Sequence, residues 1–424
     1  MKMMSFDIDP KEYEIDDLKN LTALYGLPQK VEFCKKCVIS NQRPSSTVEF
    51  KNSIEQKKDT IQFSENGVCS ACTYQEWKDT KIDWEKREKE LVDLCNKYRS
   101  KDGSYDCVVP GSGGKDSGFV SHILKYKYGM HPLTVTWAPH IYTDIGFKNM
   151  ISWIHSGFDN VLFTPNGKVH RLLTKLAYVN LLHPFQPFIV GQRFIGPKYA
   201  VMHNIKLVFY GENQAEYGNN IDENEKPTMD MKFFTQARFE DTKLGGVPVP
   251  ELITKYGLDM NDLKPYMPPL EEELERVGVE VHYMGYYLKW DPQECFYYCS
   301  KNTGFKPNTQ RTEGSYSKYS SIDDATDPFF YWTTLIKFGL GRCTYDASQE
   351  IRNNKITREE GVALVKKYEE EFPSRFFNDF LEYIGLTKKE FFEIADKFRS
   401  PHLWRKVNGE WQLRHAVWTE LQKD

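Results

Sequence analysis

The sequence predicts an α/β fold: a doubly wound parallel sheet, preceded by a small four-cysteine module and followed by a mostly helical region. Three observations predict it. Between residues 101 and 222 short apolar runs alternate with amphipathic stretches of helical period. A glycine-rich turn, Ser112-Gly113-Gly114-Lys115-Asp116-Ser117, lies between the first strand and the first helix of that array. Two Cys-x-x-Cys pairs, Cys34/Cys37 and Cys69/Cys72, stand upstream of it. At roughly 100–200 residues per domain, 424 residues make two to three domains.

In chain order, residues 1–30 read as a helical extension. Asp16, Leu18, Leu21 and Leu24 fit one amphipathic helix, and Gly26-Leu27-Pro28 stops it. Residues 31–75 are short polar segments enclosed by the Cys pairs, with a strand pair or loop expected between them. Residues 76–100 predict one linking helix, with Trp84, Leu91, Leu94 and Cys95 on one side. Tyr105–Pro110 is then a buried strand, and Phe119, Val120, Ile123 and Leu124 share a helical face. Leu133–Trp137 is a strand, Phe147–His155 a helix, and Asn160–Phe163 a strand. A helix through Leu172, Leu173, Leu176, Ala177 and Val179 follows, then the strand Ile205–Tyr210. Residues 223–424 read as mixed, then helical. There Thr357 and Glu360 form a capping box opening a helix over Gly361–Glu370.

Composition excludes several classes. A mean hydropathy of −0.61 and the lack of an 18-residue uncharged apolar run argue against a transmembrane helix. Met1–Asp17 carries six acids and no apolar core of a secretion signal, so a cytoplasmic protein is expected. Aromatic residues make up 14% of the chain, too many for one that buries nothing. With 56 basic and 60 acidic residues the net charge of −4 disfavours a general nucleic-acid binder. Neither a membrane nor a nucleic-acid partner is expected.

The glycine-rich turn has the chemistry of an anion cradle. Gly113 and Gly114 let backbone approach a ligand, and the next helix offers free N–H groups and the positive end of its dipole. Ser112 and Ser117 add hydroxyls and Lys115 a charge. A Walker A loop needs Ser or Thr after Gly-Lys, where Asp116 stands, and a dinucleotide fingerprint needs Gly or Ala at that same position. The six residues instead resemble the pyrophosphate (PP) loop of the ATP pyrophosphatases, whose fold is the adenine nucleotide alpha hydrolase-like one. That resemblance implies ATP, cut between its α and β phosphates. It makes Lys115, Asp116 and Ser117 catalytic and Ser112–Ser117 nucleotide-binding, with Asp116 placing Mg²⁺. The strand ending at Tyr210 runs into Gly211-Glu212-Asn213, on the same rim of a parallel sheet, so these three join the nucleotide set. Glu212 or Glu216 supplies a second Mg²⁺ carboxylate. Trp137 is placed beside adenine by analogy of fold.

Nine cysteines without a secretion signal favour metal ligands or free thiols over disulfides. Cys34, Cys37, Cys69 and Cys72 have the spacing of two zinc knuckles closing one structural site, with an iron–sulfur cluster as the alternative. Cys95, Cys107, Cys295, Cys299 and Cys343 read as buried small hydrophobes.

From about Phe33 to Gly385 the chain resembles the N-acetyl sugar amidotransferases of bacterial surface-glycan and flagellin-sugar synthesis. The resemblance rests on Cys34-Lys35-Lys36-Cys37-Val38, Gly67-Val68-Cys69-Ser70-Ala71-Cys72, the phosphate loop and Gly211-Glu212-Asn213. It rests further on Trp290-Asp291-Pro292-Gln293-Glu294, Asn302-Thr303-Gly304-Phe305, Glu313–Tyr319, and the run from Ile336-Lys337-Phe338-Gly339 through Thr357–Gly361. It implies conversion of an acetamido group to an acetamidino group with ATP and ammonia. The sugar is N-acetylated and acidic or nucleotide-linked, such as a nonulosonic acid of the pseudaminic or legionaminic type. Separate glutaminase and synthase-like subunits supply the ammonia. Arg311, Tyr316, Lys318, Lys337 and Arg342 are the expected sugar-binding residues, cations and a ring suited to an acidic sugar. The rival readings are a PP-loop tRNA thiolation enzyme, which needs a reactive thiol and a basic face, and a scaffold with an inactive loop.

Overall fold

The computed structural model describes residues 8–15, 21–46, 49, 58–219, 225–235 and 239–420. Its centre is a five-stranded sheet. The strands along the chain are β1 (Cys107–Pro110), β2 (Pro132–Trp137), β3 (Asp159–Phe163) and β4 (Leu207–Tyr210). A minimal hairpin, β5 (Lys243–Leu244) and β6 (Val247–Pro248), lies in the next connection, and β7 (Glu280–Tyr283) completes the sheet. The order is β3-β2-β1-β4-β7 with every pairing parallel. The chain winds outward from β1 to β3, then crosses back to place β4 on the other side of β1. The strand order therefore reverses between β1 and β4, and the crevice at their carboxyl ends is where such sheets hold ligands.

Alternate residues of the central strands face two different cores, as a sheet covered on both sides requires. Val108 and Val208 pack with α5 (Gly167–Leu181) and α6 (Gln186–Met202). Cys107, Val109, Leu207 and Phe209 pack with α2 (Trp84–Tyr98) and α3 (Lys115–Tyr126). Another helix, α4 (Asp144–His155), begins at Thr143, whose hydroxyl accepts from Gly146 N at 3.0 Å. The doubly wound parallel architecture is the one the strand–helix alternation predicts.

Several elements differ from expectation. The single linking helix is two: α1 (Ser70–Thr80) starts inside the second Cys pair, and Asp83 caps α2 by accepting from Lys86 N at 3.0 Å. Of the helix expected over Asp16–Leu24, residues 16–20 lie outside the described residues. Beyond them only a 3-10 turn forms, Leu24–Gly26, with Tyr25 at φ 63° and Leu21, Leu24 and Leu27 buried. Helix α6, strand β7 and the small hairpins at 243–248 and 404–413 went unread, the last of these in a stretch expected to be helical.

After β7 come α9 (Pro292–Asn302), α10 (Asp327–Phe338), α11 (Arg342–Arg352), α12 (Arg358–Tyr368), α13 (Phe377–Ile384) and α14 (Lys388–Asp396), preceded in the β4–β7 connection by α7 (Val249–Tyr256) and α8 (Glu271–Val277). A hairpin of β8 (Trp404–Val407) and β9 (Glu410–Leu413) follows them. The Thr357/Glu360 capping box is formed, with Glu360 N to Thr357 Oγ1 at 3.2 Å and Thr357 N to Glu360 Oε2 at 2.8 Å. The four paired cysteines share one core with Tyr25, Phe329, Trp332, Phe380 and Phe391. Among the described residues no helix is long and apolar enough to cross a membrane.

Candidate active site and metal centre

The phosphate-type loop joins β1 to α3 at the switch point, and its glycines are there for space. A Cβ on Gly111 would stand 2.1 Å from the Ser117 Cβ. Gly113 has φ +81° and a Cβ there would meet Met150 Cα at 2.6 Å, so the loop lies flat on α4. Gly114 is the N-cap of α3 and no side chain caps that end, which leaves the first-turn N–H groups and the helix dipole facing the crevice.

Charge is concentrated here. Lys115 Nζ is 2.6 Å from Asp116 Oδ2. Burial works against the charge on Lys115, but Asp116 and then Glu212 outweigh it and raise its pKa. Burial, and next the nearby Asp116, raise the pKa of Glu212, which accepts a hydrogen bond from the Tyr217 hydroxyl. Two carboxylates that press on each other beside an anion cradle have the donor character of a divalent-cation site. Glu216, the alternative carboxylate, is turned away: Lys78 Nζ holds both its oxygens at 2.7 and 2.8 Å.

Two cavities open on the loop. One of about 320 Å³ lies over the carboxyl ends of β1 and β4, against Pro110, Ser117, Gln192, Tyr210, Gly211 and Tyr283. The other, about 500 Å³, is walled by the loop, by residues 39, 43–46, 49, 58 and 61 of the four-cysteine module, and by α10 and α11. Ser112, Gly114, Asp116 and Glu212 line both. The loop is thus a partition with a chamber on each side.

The remaining expected residues fall in several places. Asn213 is buried and caps the turn after β4, its Oδ1 accepting from Ala215 N at 2.8 Å. Trp137 sits in the core and lines neither cavity; its ring lies 5.0 Å from Phe163, and a Cβ on Gly191 would stand 2.3 Å from it. Lys337 and Arg342 line the larger cavity, Lys337 bound to Glu49 at 2.7 Å and Arg342 to Asp346 at 3.0 Å. Arg311 lies off both cavities in a bidentate pair with Glu371 at 2.5 and 2.6 Å. Tyr316 donates to Glu350 at 2.8 Å, also off both cavities, and Lys318 is exposed.

Sequence reasoning missed Asp323 and Arg43 on the larger cavity, which Arg352 also lines. Asp323 comes within hydrogen-bonding reach of the Ser112 hydroxyl, and burial raises its pKa. It is held there by its neighbour Asp324, which accepts from His140 N at 2.7 Å and pairs with His140 Nδ1 at 2.8 Å. No local pattern marked these residues, because their partners lie far along the chain.

The paired cysteines converge. Their four sulfurs lie within 4.8 Å of one another, with Cys34–Cys72 at 3.9 Å and Cys37–Cys69 at 3.7 Å, and none is in a disulfide. A tetrahedral ion about 2.3 Å from each sulfur needs sulfur–sulfur edges of about 3.8 Å. Backbone N–H groups of Lys36, Cys37 and Cys69 point at Cys34 Sγ from 3.3–3.5 Å, donors that favour a thiolate. Arg358 of α12 donates to the Cys34 and Cys37 carbonyls, each at 3.1 Å.

Fold and site together define an α/β protein with a glycine-rich loop at its topological switch point and a four-cysteine cluster that could hold a metal. Residues 313–417, which include Asp323, Lys337, Arg342 and Arg352, match the family described as LPS biosynthesis protein WbpG-like, C-terminal domain. An uncharacterised protein of Methanocaldococcus jannaschii is 36% identical over 52 residues, 12% of this chain. The match spans only 19% of that relative's length. Among solved structures, the chain is similar to an NH3-dependent NAD synthetase from Campylobacter jejuni at 18% identity. That match covers 34% of this chain and 59% of the other, with a TM-score of 0.24. NMN synthetase from Francisella tularensis is matched at 15% identity, over 54% and 90%, with a TM-score of 0.24. The U34-tRNA thiolase NcsA from Methanococcus maripaludis, with its [4Fe-4S] cluster, is matched at 12% identity, over 76% and 88%, with a TM-score of 0.29.

Proposed function

We propose that the chain is an ATP-dependent amidotransferase that converts the acetamido group of an N-acetylated sugar to an acetamidino group, in the synthesis of a bacterial surface glycan. The observation that carries the reading is the partition: one anion cradle with a chamber on each side. A phosphorus atom held at Ser112, Gly114 and Asp116 is open to a nucleotide on one side and an acceptor on the other. The match of residues 313–417 to a lipopolysaccharide-synthesis domain supports a sugar as that acceptor, since this stretch builds much of the acceptor wall.

An amide carbonyl is a weak electrophile, and its oxygen leaves poorly. In the proposed route that oxygen attacks the α-phosphorus, pyrophosphate departs, and the amide N–H proton is lost, giving an O-adenylyl imidate. Ammonia then attacks the imidate carbon and AMP leaves. The loop N–H groups, Ser112, Ser117 and Lys115 stabilise the departing pyrophosphate. Asp323, a carboxylate on the larger cavity beside Ser112 whose pKa burial raises, takes the amide proton. Asp116 and Glu212 would hold Mg²⁺, which when bound neutralises phosphate charge. The four paired cysteines would hold zinc in a closed structural site. The sulfur–sulfur distances fit one central ion better than a cluster, whose thiolates spread around separate irons. In this reading the protein works in the cytoplasm, and a glutaminase with a synthase-like subunit delivers ammonia at the four-cysteine module or the late helices.

The thiolation reading is the weaker one. Cys95, Cys107, Cys295, Cys299 and Cys343 are all buried, and burial raises every one of their pKa values, Cys95 to about 11 and Cys299 to about 12. The deciding assay is AMP and pyrophosphate release from Mg·ATP and ammonium across N-acetylated acidic and nucleotide-linked sugars, with mass spectrometry of the sugar. Sugar-dependent AMP with oxygen replaced by NH is the expected result. AMP release triggered by undermodified tRNA and by no sugar overturns it.

A further inference from the structure

Six cationic side chains, Arg43, Lys58, Lys115, Lys337, Arg342 and Arg352, line the larger cavity. Four of them are ion-paired in place: Lys58 and Lys337 share the single carboxylate of Glu49, Lys115 pairs with Asp116, and Arg342 with Asp346. Arg43 and Arg352 are different. Among the described residues neither forms an ion pair with a carboxylate.

Arg43 is 4% exposed and lies over two rings, 6.0 Å from the Tyr217 centroid and 5.8 Å from that of Tyr345. Among the described residues its guanidinium donates only to neutral oxygens, Asn219 Oδ1 at 3.4 Å and Ser46 Oγ at 3.2 Å. Arg352, at the end of α11, donates to the Glu216 carbonyl at 3.2 Å, while the Glu216 carboxylate is taken by Lys78. The two cations feel each other: burial lowers the Arg43 pKa, and Arg352 is among the charges that lower it further. Two like charges on one cavity wall, the first buried and the second half-buried, repel, and an anion bound beside them offsets that repulsion. Guanidinium forks suit the planar oxygens of carboxylate and phosphate.

We propose that Arg43 and Arg352 form the anion subsite of the larger cavity and bind a carboxylate or phosphate carried by the acceptor. This rests on the acceptor role given to that cavity above, and it moves the anion contact from Arg311, Lys318, Lys337 and Arg342 to a wall shared by the four-cysteine module and α11. A purely structural alternative exists on the same wall, because the Cys37, Cys69 and Cys72 thiolates are the charges that most favour the cation of Arg352. In that case the arginines would serve only as counter-charges to the metal thiolates.

The test measures binding, so it is independent of turnover. Full-length protein, metal-loaded and saturated with α,β-methylene-ATP, is titrated calorimetrically with N-acetylneuraminate, UDP-N-acetylglucosamine and neutral N-acetylglucosamine. Arg43→Gln, Arg43→Lys and Arg352→Gln are compared with the wild type, and metal content and Tm are recorded for each. At least one anionic probe should bind about ten- to a hundredfold more weakly to both Gln variants, with Arg43→Lys between. The neutral probe should be unaffected and the metal retained. Which anionic probe responds separates a sugar carboxylate from a phosphate. Loss of metal in the Gln variants without any selective loss of an anionic probe overturns the subsite, and so does equal weakening of neutral and anionic probes. Failure of sugar-dependent AMP release with the binding result intact would overturn the reaction and leave the subsite standing.

Discussion

Single residues in this protein divide into those whose role is local and those whose role is set by a distant partner. Asp116 is of the first kind. Asp116→Asn and Glu212→Gln should each lower AMP formation by two or more orders of magnitude, on the scale of a lost electrostatic stabiliser, with little change in Tm. A change in Tm alone would remove both from the reaction. Glu49 is of the second kind. Burial would raise its pKa, but Lys337 and Lys58 outweigh burial and hold it at about 2. Burial pulls Lys337 down to about 8, so the pair is charged at neutral pH. Because the folded pKa of Glu49 lies below its usual 4.5, its contribution is complete above pH 4.5 and fades as pH falls toward 2. Glu49→Gln should therefore cost about 3 kcal/mol at pH 7, with the gap from wild type closing between pH 4.5 and 2 in urea titrations. A constant gap would refute the pairing. The glycine-rich turn between β1 and α3 was legible because its six residues are contiguous. Glu49 and Arg43 were not, since their partners lie 288 and 176 residues away.

Elements with a repeating local signature were readable, and those defined by packing were not. The strands β1 to β4 were found to within two residues or so, because a short apolar run between turn signals is a local fact. Helix α6 was missed because Pro197 in its interior is a breaker by local rules, yet the helix packs so closely that a Cβ on Gly196 would meet Pro110 at 2.5 Å. Strand β7 was missed because its four residues find their partners far away, pairing with β4 some seventy residues earlier and bridging to Thr228 on the other edge. Cap chemistry is the strongest case of legibility, and α12 tests it. Thr357→Ala should cost about 1 kcal/mol. It should also speed metal release to a chelator, because the helix it starts carries Arg358 onto the Cys34 and Cys37 carbonyls. Unchanged release with the expected loss of stability would separate the cap from the metal site.

At the scale of the whole molecule, stretches far apart in sequence share an interior. The four-cysteine site belongs to the same core as α10, α13 and α14, so metal removal should act on more than a local knuckle. Calorimetry before and after chelation is expected to show one transition moved down, since metal binding is folding free energy. A small separate transition, with the main one unmoved, would mean the module melts alone. The same intimacy has a consequence during synthesis. The Cys34 carbonyl and the Arg358 guanidinium are joined by a hydrogen bond that spans 324 residues. At roughly 5–20 residues per second, on the order of half a minute separates the ribosomal appearance of the first thiols from that of the arginine that clamps them. For that interval the nascent thiols lack their final partner and are open to oxidation or to an incorrect metal, so the yield of this protein is expected to depend on metal supply and reducing power during synthesis.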